Sequence, residues 1–113
     1  MLDGGAGNDL IFGNNGSDNL VGGNSADTIF GNRNNDTING DAGNDRLFGN
    51  NGNDTLDGGK GLDTLWGGTG DDTFIITRGT NVTRIKDYVD GTDPLELGSG
   101  LTFDDSTLIS NNN

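Results

Sequence analysis

An all-β solenoid is the fold class this sequence predicts, and three observations carry the prediction. A period of nine residues runs without insertion from Gly4 to Ile75, eight units in all. Three columns of that period hold their character throughout: position one is Gly, position six is Asp, and position eight is a large apolar residue. Gly and Asn dominate the first five positions, which suits tight turns with left-handed backbone angles, whereas the positions after Asp carry the β-branched and aromatic residues of short strands.

The first element of each unit is therefore a turn and the second a strand. In order, the units read GGAGNDLIF, GNNGSDNLV, GGNSADTIF, GNRNNDTIN, GDAGNDRLF, GNNGNDTLD, GGKGLDTLW and GGTGDDTFI. Strand alternation sends position eight to one face and positions seven and nine to the other. The position-eight residues are Ile11, Leu20, Ile29, Ile38, Leu47, Leu56, Leu65 and Phe74, and they form most of the core.

Composition limits what else can hold such a chain together. Its 113 residues are 28% hydrophobic and carry a net charge of -12, so apolar burial alone supports only a thin core in what is at most one domain. The chain has no Cys and no His, which removes disulfides, thiolate metal sites, the usual zinc ligand and the usual general base. Calcium remains chemically open because it takes oxygen ligands alone. No apolar run approaches a membrane span, and the first residues carry no signal-peptide pattern. The acidic balance argues against nucleic acid as a partner.

The columns G-G-x-G-x-D-x-U-x resemble the hemolysin-type calcium-binding repeat, the RTX nonapeptide family, over 72 residues. The resemblance implies a right-handed parallel β-roll in which six residues turn, three form a strand and two units complete one coil. It also implies calcium held between stacked turns by their aspartates and main-chain carbonyls. The carboxylates so implicated are Asp9, Asp18, Asp27, Asp36, Asp45, Asp54, Asp63 and Asp72. The carbonyls are those of the turns around Gly4, Gly7, Gly13, Gly16, Gly22, Gly31, Gly40, Gly43, Gly49, Gly52, Gly58, Gly61, Gly67 and Gly70.

Stacking two-unit coils divides these residues between two sides of the roll. One inward column is Ile11, Ile29, Leu47 and Leu65, the other Leu20, Ile38, Leu56 and Phe74. Four coils at about 4.8 Å make a roll about 19 Å long. The aspartates form two files, Asp9, Asp27, Asp45, Asp63 and Asp18, Asp36, Asp54, Asp72. Neighbouring carboxylates in a file repel by about 1 kcal/mol at 4 Å in water, and several-fold more where water is excluded. A divalent ion between turns reverses that sign, giving six sites between successive members of the two files. At an affinity near 0.1 mM and about tenfold more calcium, six sites add about 8 kcal/mol, comparable to the whole stability of a small domain. Folding and calcium binding are then one event. Position four departs from Gly at Ser25 and Asn34, which predicts weaker or distorted sites beside those turns. Asp3, Asp41, Asp57 and Asp71 fall outside the aspartate column and read as solvated.

The outward residues differ between the two sheets. Phe12, Phe30, Phe48 and Trp66 form an aromatic stripe at position nine of the odd units. It reads either as a stacking ladder or as a docking surface for another module, a second copy or a ligand. Asn19, Thr37, Thr55 and Thr73 line the other sheet, where a flat threonine ladder suggests ice binding remotely and good strand residues simply.

After Ile75 the period ends, with Asn81 in the next position-six slot and Thr83 in the inward one. Residues 83–97 resemble the cap that follows such repeats in secreted proteases and alginate epimerases, with Tyr88, Pro94 and Glu96 departing from its usual pattern. Residues 1–75 are thus read as the roll and 76–113 as a truncated capping segment. Asp87, Asp90 and Asp93 form either a further calcium site or a solvated turn. Leu2 occupies position eight of an earlier unit, as in an excerpt from a longer array. The resemblance implies a secreted, extracellular, calcium-dependent module that helps an exported parent protein to fold, mature or cross a type I secretion channel. It is no enzyme on this reading, since no Ser has an activating base. The rival reading is adhesion, recognition or dimerisation through the aromatic stripe.

Overall fold

The computed structural model describes residues 1–76, 83–85, 95–97 and 108–110. The cap residues Asp87, Asp90 and Asp93 lie outside them. The described residues hold twelve strands and no helix. The strands are β1 (Leu2–Gly5), β2 (Leu10–Phe12), β3 (Asn19–Asn24), β4 (Thr28–Phe30), β5 (Thr37–Ala42), β6 (Arg46–Phe48), β7 (Thr55–Asp57), β8 (Asp63–Trp66), β9 (Thr73–Ile76), β10 (Thr83–Ile85), β11 (Leu95–Leu97) and β12 (Leu108–Ser110). Odd-numbered strands make one parallel sheet in the order β1-β3-β5-β7-β9-β11, and even-numbered strands make the other in the order β2-β4-β6-β8-β10-β12. Alternating between the sheets at each turn while every ladder stays parallel is the topology of a parallel β-roll.

The register fixes two units per coil. Ile11 pairs with Ile29, Ile29 with Leu47 and Leu47 with Leu65 in one sheet. Leu20 pairs with Ile38, Ile38 with Leu56 and Leu56 with Phe74 in the other. Each pair is eighteen residues apart, so identical columns superimpose and the small differences between units are carried on the outside. The eight position-eight side chains are the buried apolar core, seven of them at 0% exposure and Ile11 at 8%.

Two features extend the expected outline. Leu2 pairs with Leu20, so β1 adds a strand ahead of the first complete unit, and β10 to β12 continue both sheets past Ile75. Each sheet therefore has six strands, where four stacked coils supply four. In the following coil it is Ile85, and not Thr83, that pairs with Leu65, two residues later than the nine-residue count. Strands β3 and β5 reach six residues because the turns of successive coils superimpose and the ladder persists through Gly23, Asp41 and Ala42.

The outer acids are more structured than their solvated reading. Asp3 Oδ1 accepts the Gly5 N–H at 3.0 Å, and Asp57 Oδ1 accepts that of Gly59 at the same distance. Asn39 does the same for Asp41, so three of the position-nine side chains of this sheet cap the backbone two residues on. On the opposite sheet the rings of Phe12, Phe30, Phe48 and Trp66 stack with centroids 5.2, 4.6 and 4.3 Å apart and planes within 10° of parallel. They cover one another's faces, which is the geometry of a ladder.

Leu47→Ala removes a fully buried side chain between two coils and is expected to cost about 2–5 kcal/mol in urea unfolding at saturating calcium. Phe48→Ala, which loses stacking on both faces but no core volume, is expected to cost less, about 1–3 kcal/mol.

Candidate metal centre

The position-six aspartates are set where turn becomes strand, and the coil repeat brings them into two files. Within each file the main-chain N–H of one Asp donates to Oδ1 of the Asp eighteen residues on. Asp9 donates to Asp27 at 2.7 Å, Asp18 to Asp36 at 2.8 Å, Asp27 to Asp45 at 2.8 Å and Asp36 to Asp54 at 2.8 Å. Asp45 donates to Asp63 and Asp54 to Asp72, both at 2.9 Å. Asp27, Asp36, Asp45, Asp54, Asp63 and Asp72 are buried to 1% exposure or less, and these bonds account for one oxygen of each. The second oxygen is another matter. Oδ2 of Asp9, Asp18, Asp27, Asp36, Asp45, Asp54 and Asp63 is buried with no hydrogen-bond partner. A lone buried carboxylate oxygen costs kilocalories, and seven of them in two files repel besides.

The position-one glycines show where those oxygens point. None of them has a positive φ, so backbone conformation does not require Gly there. Space does. A Cβ on Gly4 would lie 2.6 Å from Oδ2 of Asp9 and 2.7 Å from the carbonyl oxygen of Gly22, and one on Gly31 would lie 2.6 Å from Oδ2 of Asp36 and 2.9 Å from the carbonyl of Gly49. Gly13, Gly22, Gly40 and Gly49 are crowded in the same way, by Asp18 with Gly31, Asp27 with Gly40, Asp45 with Gly58 and Asp54 with Gly67. At six places, then, a carboxylate oxygen of one coil and a main-chain carbonyl of the next both approach the α-carbon of one position-one glycine.

The remaining glycines answer a different demand. Every position two and every position four of the eight turns has a positive φ, including Ser25 at 82° and Asn34 at 78°. These two departures adopt the glycine conformation and keep the turn. Position-four carbonyls, such as those of Gly43 and Gly52, face the α-carbon of position four in the next coil.

Electrostatics agrees with geometry. Burial pushes the carboxyl of Asp54 up from 3.8 to about 7, against a lowering by its hydrogen bond from Asp36 and with further raising by the charges of Asp72 and Asp36. Asp63 is likewise pushed to about 7 and Asp45 to about 6, in both cases chiefly by burial. Asp27 and Asp36 are raised for the same reason. Groups so placed seek a proton or a cation. Among the described residues no three acidic side chains converge, so a cation must draw on the main chain for its shell. Oxygen-only donors, two coils at a time, fit a hard, flexible cation of calcium's type and offer nothing to a metal that prefers nitrogen or sulfur.

A second column acts beside the aspartates and was not singled out from the sequence. Oδ1 of Asn8 accepts the N–H of Ala26 at 2.9 Å, Asn44 that of Leu62 at 2.9 Å, Asn35 that of Asn53 at 2.7 Å and Asn53 that of Asp71 at 2.8 Å. These position-five bonds run toward the preceding coil, while the aspartate bonds run toward the following one. Four of the six unit-to-unit junctions are thus pinned from both sides. Half of column five is Asn, a signal that the invariant columns beside it obscure.

The family model for the RTX calcium-binding nonapeptide repeat matches the chain in four copies, over residues 1–29, 12–47, 21–56 and 48–82. The chain is also similar to the solution structure of the AlgE6R3 subunit from the Azotobacter vinelandii mannuronan C5-epimerase. The two are 34% identical over 79% of this chain with a TM-score of 0.57. This chain spans about half, 53%, of that one. No curated protein sequence matches the chain.

Gly31→Ala is expected to cost on the order of 3 kcal/mol, because the new methyl meets Asp36 and the Gly49 carbonyl. Gly16→Ala, at φ 101° with open space around it, pays only the left-handed backbone penalty of about 1 kcal/mol. Chemical unfolding at saturating calcium separates the two.

A pH titration in chelator tests the carboxylates. Because the folded pKa values are raised, the calcium-free fold binds protons more tightly than the unfolded chain, and ionisation opposes folding. That opposition is complete above about 7 and is relieved as pH falls toward 3.8. Strand content by circular dichroism should therefore rise in chelator as pH is lowered from about 8 to about 4.5. An unchanged spectrum contradicts the assignment.

Proposed function

Because the chain belongs to the RTX calcium-binding nonapeptide repeat family, and is a calcium-binding module of β-roll fold, we propose that calcium bound between its coils is what makes it fold. The observation that carries this reading is the set of six points where a partnerless carboxylate oxygen meets the carbonyl of the next coil. Asp9, Asp18, Asp27, Asp36, Asp45 and Asp54 would hold the ions through Oδ2, with the carbonyls of Gly22, Gly31, Gly40, Gly49, Gly58 and Gly67 from the adjoining turn. Asp63 and Asp72 serve as acceptors that position the coil before them.

Calcium supplies positive charge at the point where both ligands are electron-rich, turning coil-to-coil repulsion into attraction. A chain at -12 with a single apolar column per sheet has little else to oppose its own charge. Where calcium is scarce the chain stays open, and where it is plentiful the coils close. That difference suits a module that leaves the cell unfolded and folds outside, so we place it in a secreted, extracellular parent protein and read residues 1–75 as the roll and 76–113 as its cap. The module itself is non-catalytic on this reading, and any reaction belongs to another part of the parent. The epimerase origin of the similar structure is compatible with such a division of labour.

Calorimetry is expected to count about six calcium ions per chain, and circular dichroism to show strand appearing together with binding. A count of one or two, or full strand content in chelator at pH 8, overturns the proposal. Asp36→Asn removes a buried charge and one ligand together. It is expected to remove about one ion from the count.

A further inference from the structure

One junction of the six is built differently from the rest. Between the fifth and seventh units, Asp45 Oδ2 and the Gly58 carbonyl both approach the α-carbon of Gly40. Asp41 follows Gly40 directly and Asp57 directly precedes Gly58, so an acid adjoins each of these two glycines. At the five other junctions the first of those places holds Gly or Asn and the second holds Val, Asn or an aromatic residue. The two acids also lie close to each other. Asp57 Oδ1 accepts the Gly59 N–H at 3.0 Å, which turns its carboxylate back over the turn, and the α-carbon of Gly59 faces the Asp41 carbonyl. Beneath the larger effect of burial, the charge of Asp41 acts on the carboxyls of Asp45 and Asp57, and that of Asp57 on Asp63.

A pair of outer acids is ordinarily a solvated surface and nothing more. This pair flanks Asp45, a side chain at 1% exposure whose Oδ2 has no hydrogen-bond partner. The junction is also firmly held. The Asp45 N–H donates to Asp63 Oδ1 at 2.9 Å, that of Leu62 to Asn44 Oδ1 at 2.9 Å, and that of Lys60 to the Asp41 carbonyl at 2.7 Å. The preceding junction of the same file, at Asp27, has Ala26 where this one has Asn44 and so has no such side-chain acceptor. Arg46 and Lys60, the cations nearest in sequence, are both exposed. Neither Asp41 nor Asp57 is a ligand, since no three acidic side chains converge among the described residues. Each acts through space, and calcium affinity rises with the negative charge and the rigidity around the ion. We propose that Asp41 and Asp57 set the order of calcium binding, so that the junction at Asp45 takes its ion first and gives it up last. This ranking rests on the reading of the six junctions as calcium sites given above. Asn suits both positions sterically. Asn39, one coil earlier in the column of Asp57, makes the same bond to the N–H two residues on, and Asn14, Asn32 and Asn50 hold a positive φ at position two as Asp41 does. Asp41→Asn and Asp57→Asn therefore remove charge and keep the turn.

The test starts from the full chain saturated with calcium at neutral pH. Free calcium is lowered in steps with a chelator buffer while nuclear magnetic resonance follows the amides of Asp9, Asp18, Asp27, Asp36, Asp45 and Asp54, one for each junction. The Asp45 amide is expected to keep its bound shift down to a free calcium about tenfold below that at which the other five change. In the double variant, Asp41→Asn with Asp57→Asn, that lead is expected to shrink to about threefold or less while the number of bound ions stays the same. Asp57→Asn alone is expected to remove the larger part of it, because Asp57 is half-buried and Asp41 is exposed. Added salt is expected to narrow the lead in the original chain and to leave the double variant unmoved, a response that turn-capping by these side chains would not give. Release of the Asp45 amide together with the others or ahead of them, or a lead that survives in the double variant, overturns the ranking and leaves the sites standing. Amides that do not respond to calcium at all overturn the sites themselves, and the ranking with them.

Discussion

The structure depends on an electrostatic constraint: eight carboxylates stacked along the roll in two files, six of them fully buried with one oxygen satisfied, and six with the other oxygen close to a carbonyl of the next coil. Hydrophobic burial places the strands, but it does so with a single inward residue per unit. Main-chain ladders join the coils and are indifferent to which residues they join. The carboxylate files are the part of the design that opposes stacking when bare and favours it when a cation is present.

The same constraint explains which residues the chain can vary. Position one must be Gly because a methyl group there occupies the space shared by an Asp oxygen and the next carbonyl. Positions two and four take a positive φ throughout, and Asn14, Ser25, Asn32, Asn34, Asp41 and Asn50 adopt it in place of Gly. Space acts there as well, since a Cβ on Gly23, Gly43, Gly52, Gly59, Gly61, Gly68 or Gly70 would run into a carbonyl of the preceding coil, so position one answers a demand of space alone and positions two and four answer one of conformation joined by one of space. Position five contributes differently again, since an Asn side chain there pins the coil junction in the direction opposite to the aspartate bond.

A roll built this way is open at its ends by construction. Each interior coil completes the one before it and is completed by the one after, through groups that differ on its two faces. Polarity follows from that difference, since N–H donors and carboxylates point one way along the axis while their acceptors and carbonyls point the other.

By itself the sequence determined the period, the inward column, the two aspartate files and the oxygen-only chemistry of the site, because all of these are set by residue type at fixed spacing. The pairing of Ile11 with Ile29 and of Leu20 with Ile38 follows from that spacing once two units close a coil. Tertiary structure alone decided the rest. From Asp27 onward Asp Oδ1 is engaged by the amide of the preceding coil, while Oδ2 of Asp9, Asp18, Asp27, Asp36, Asp45, Asp54 and Asp63 has no hydrogen-bond partner, a division that depends on rotamer and stacking and leaves no trace in composition. Stacking also turned the aromatic stripe into a ladder and gave Asp3 and Asp57 turn-capping roles. It also paired Ile85, and not Thr83, with Leu65, two residues later than the nine-residue count.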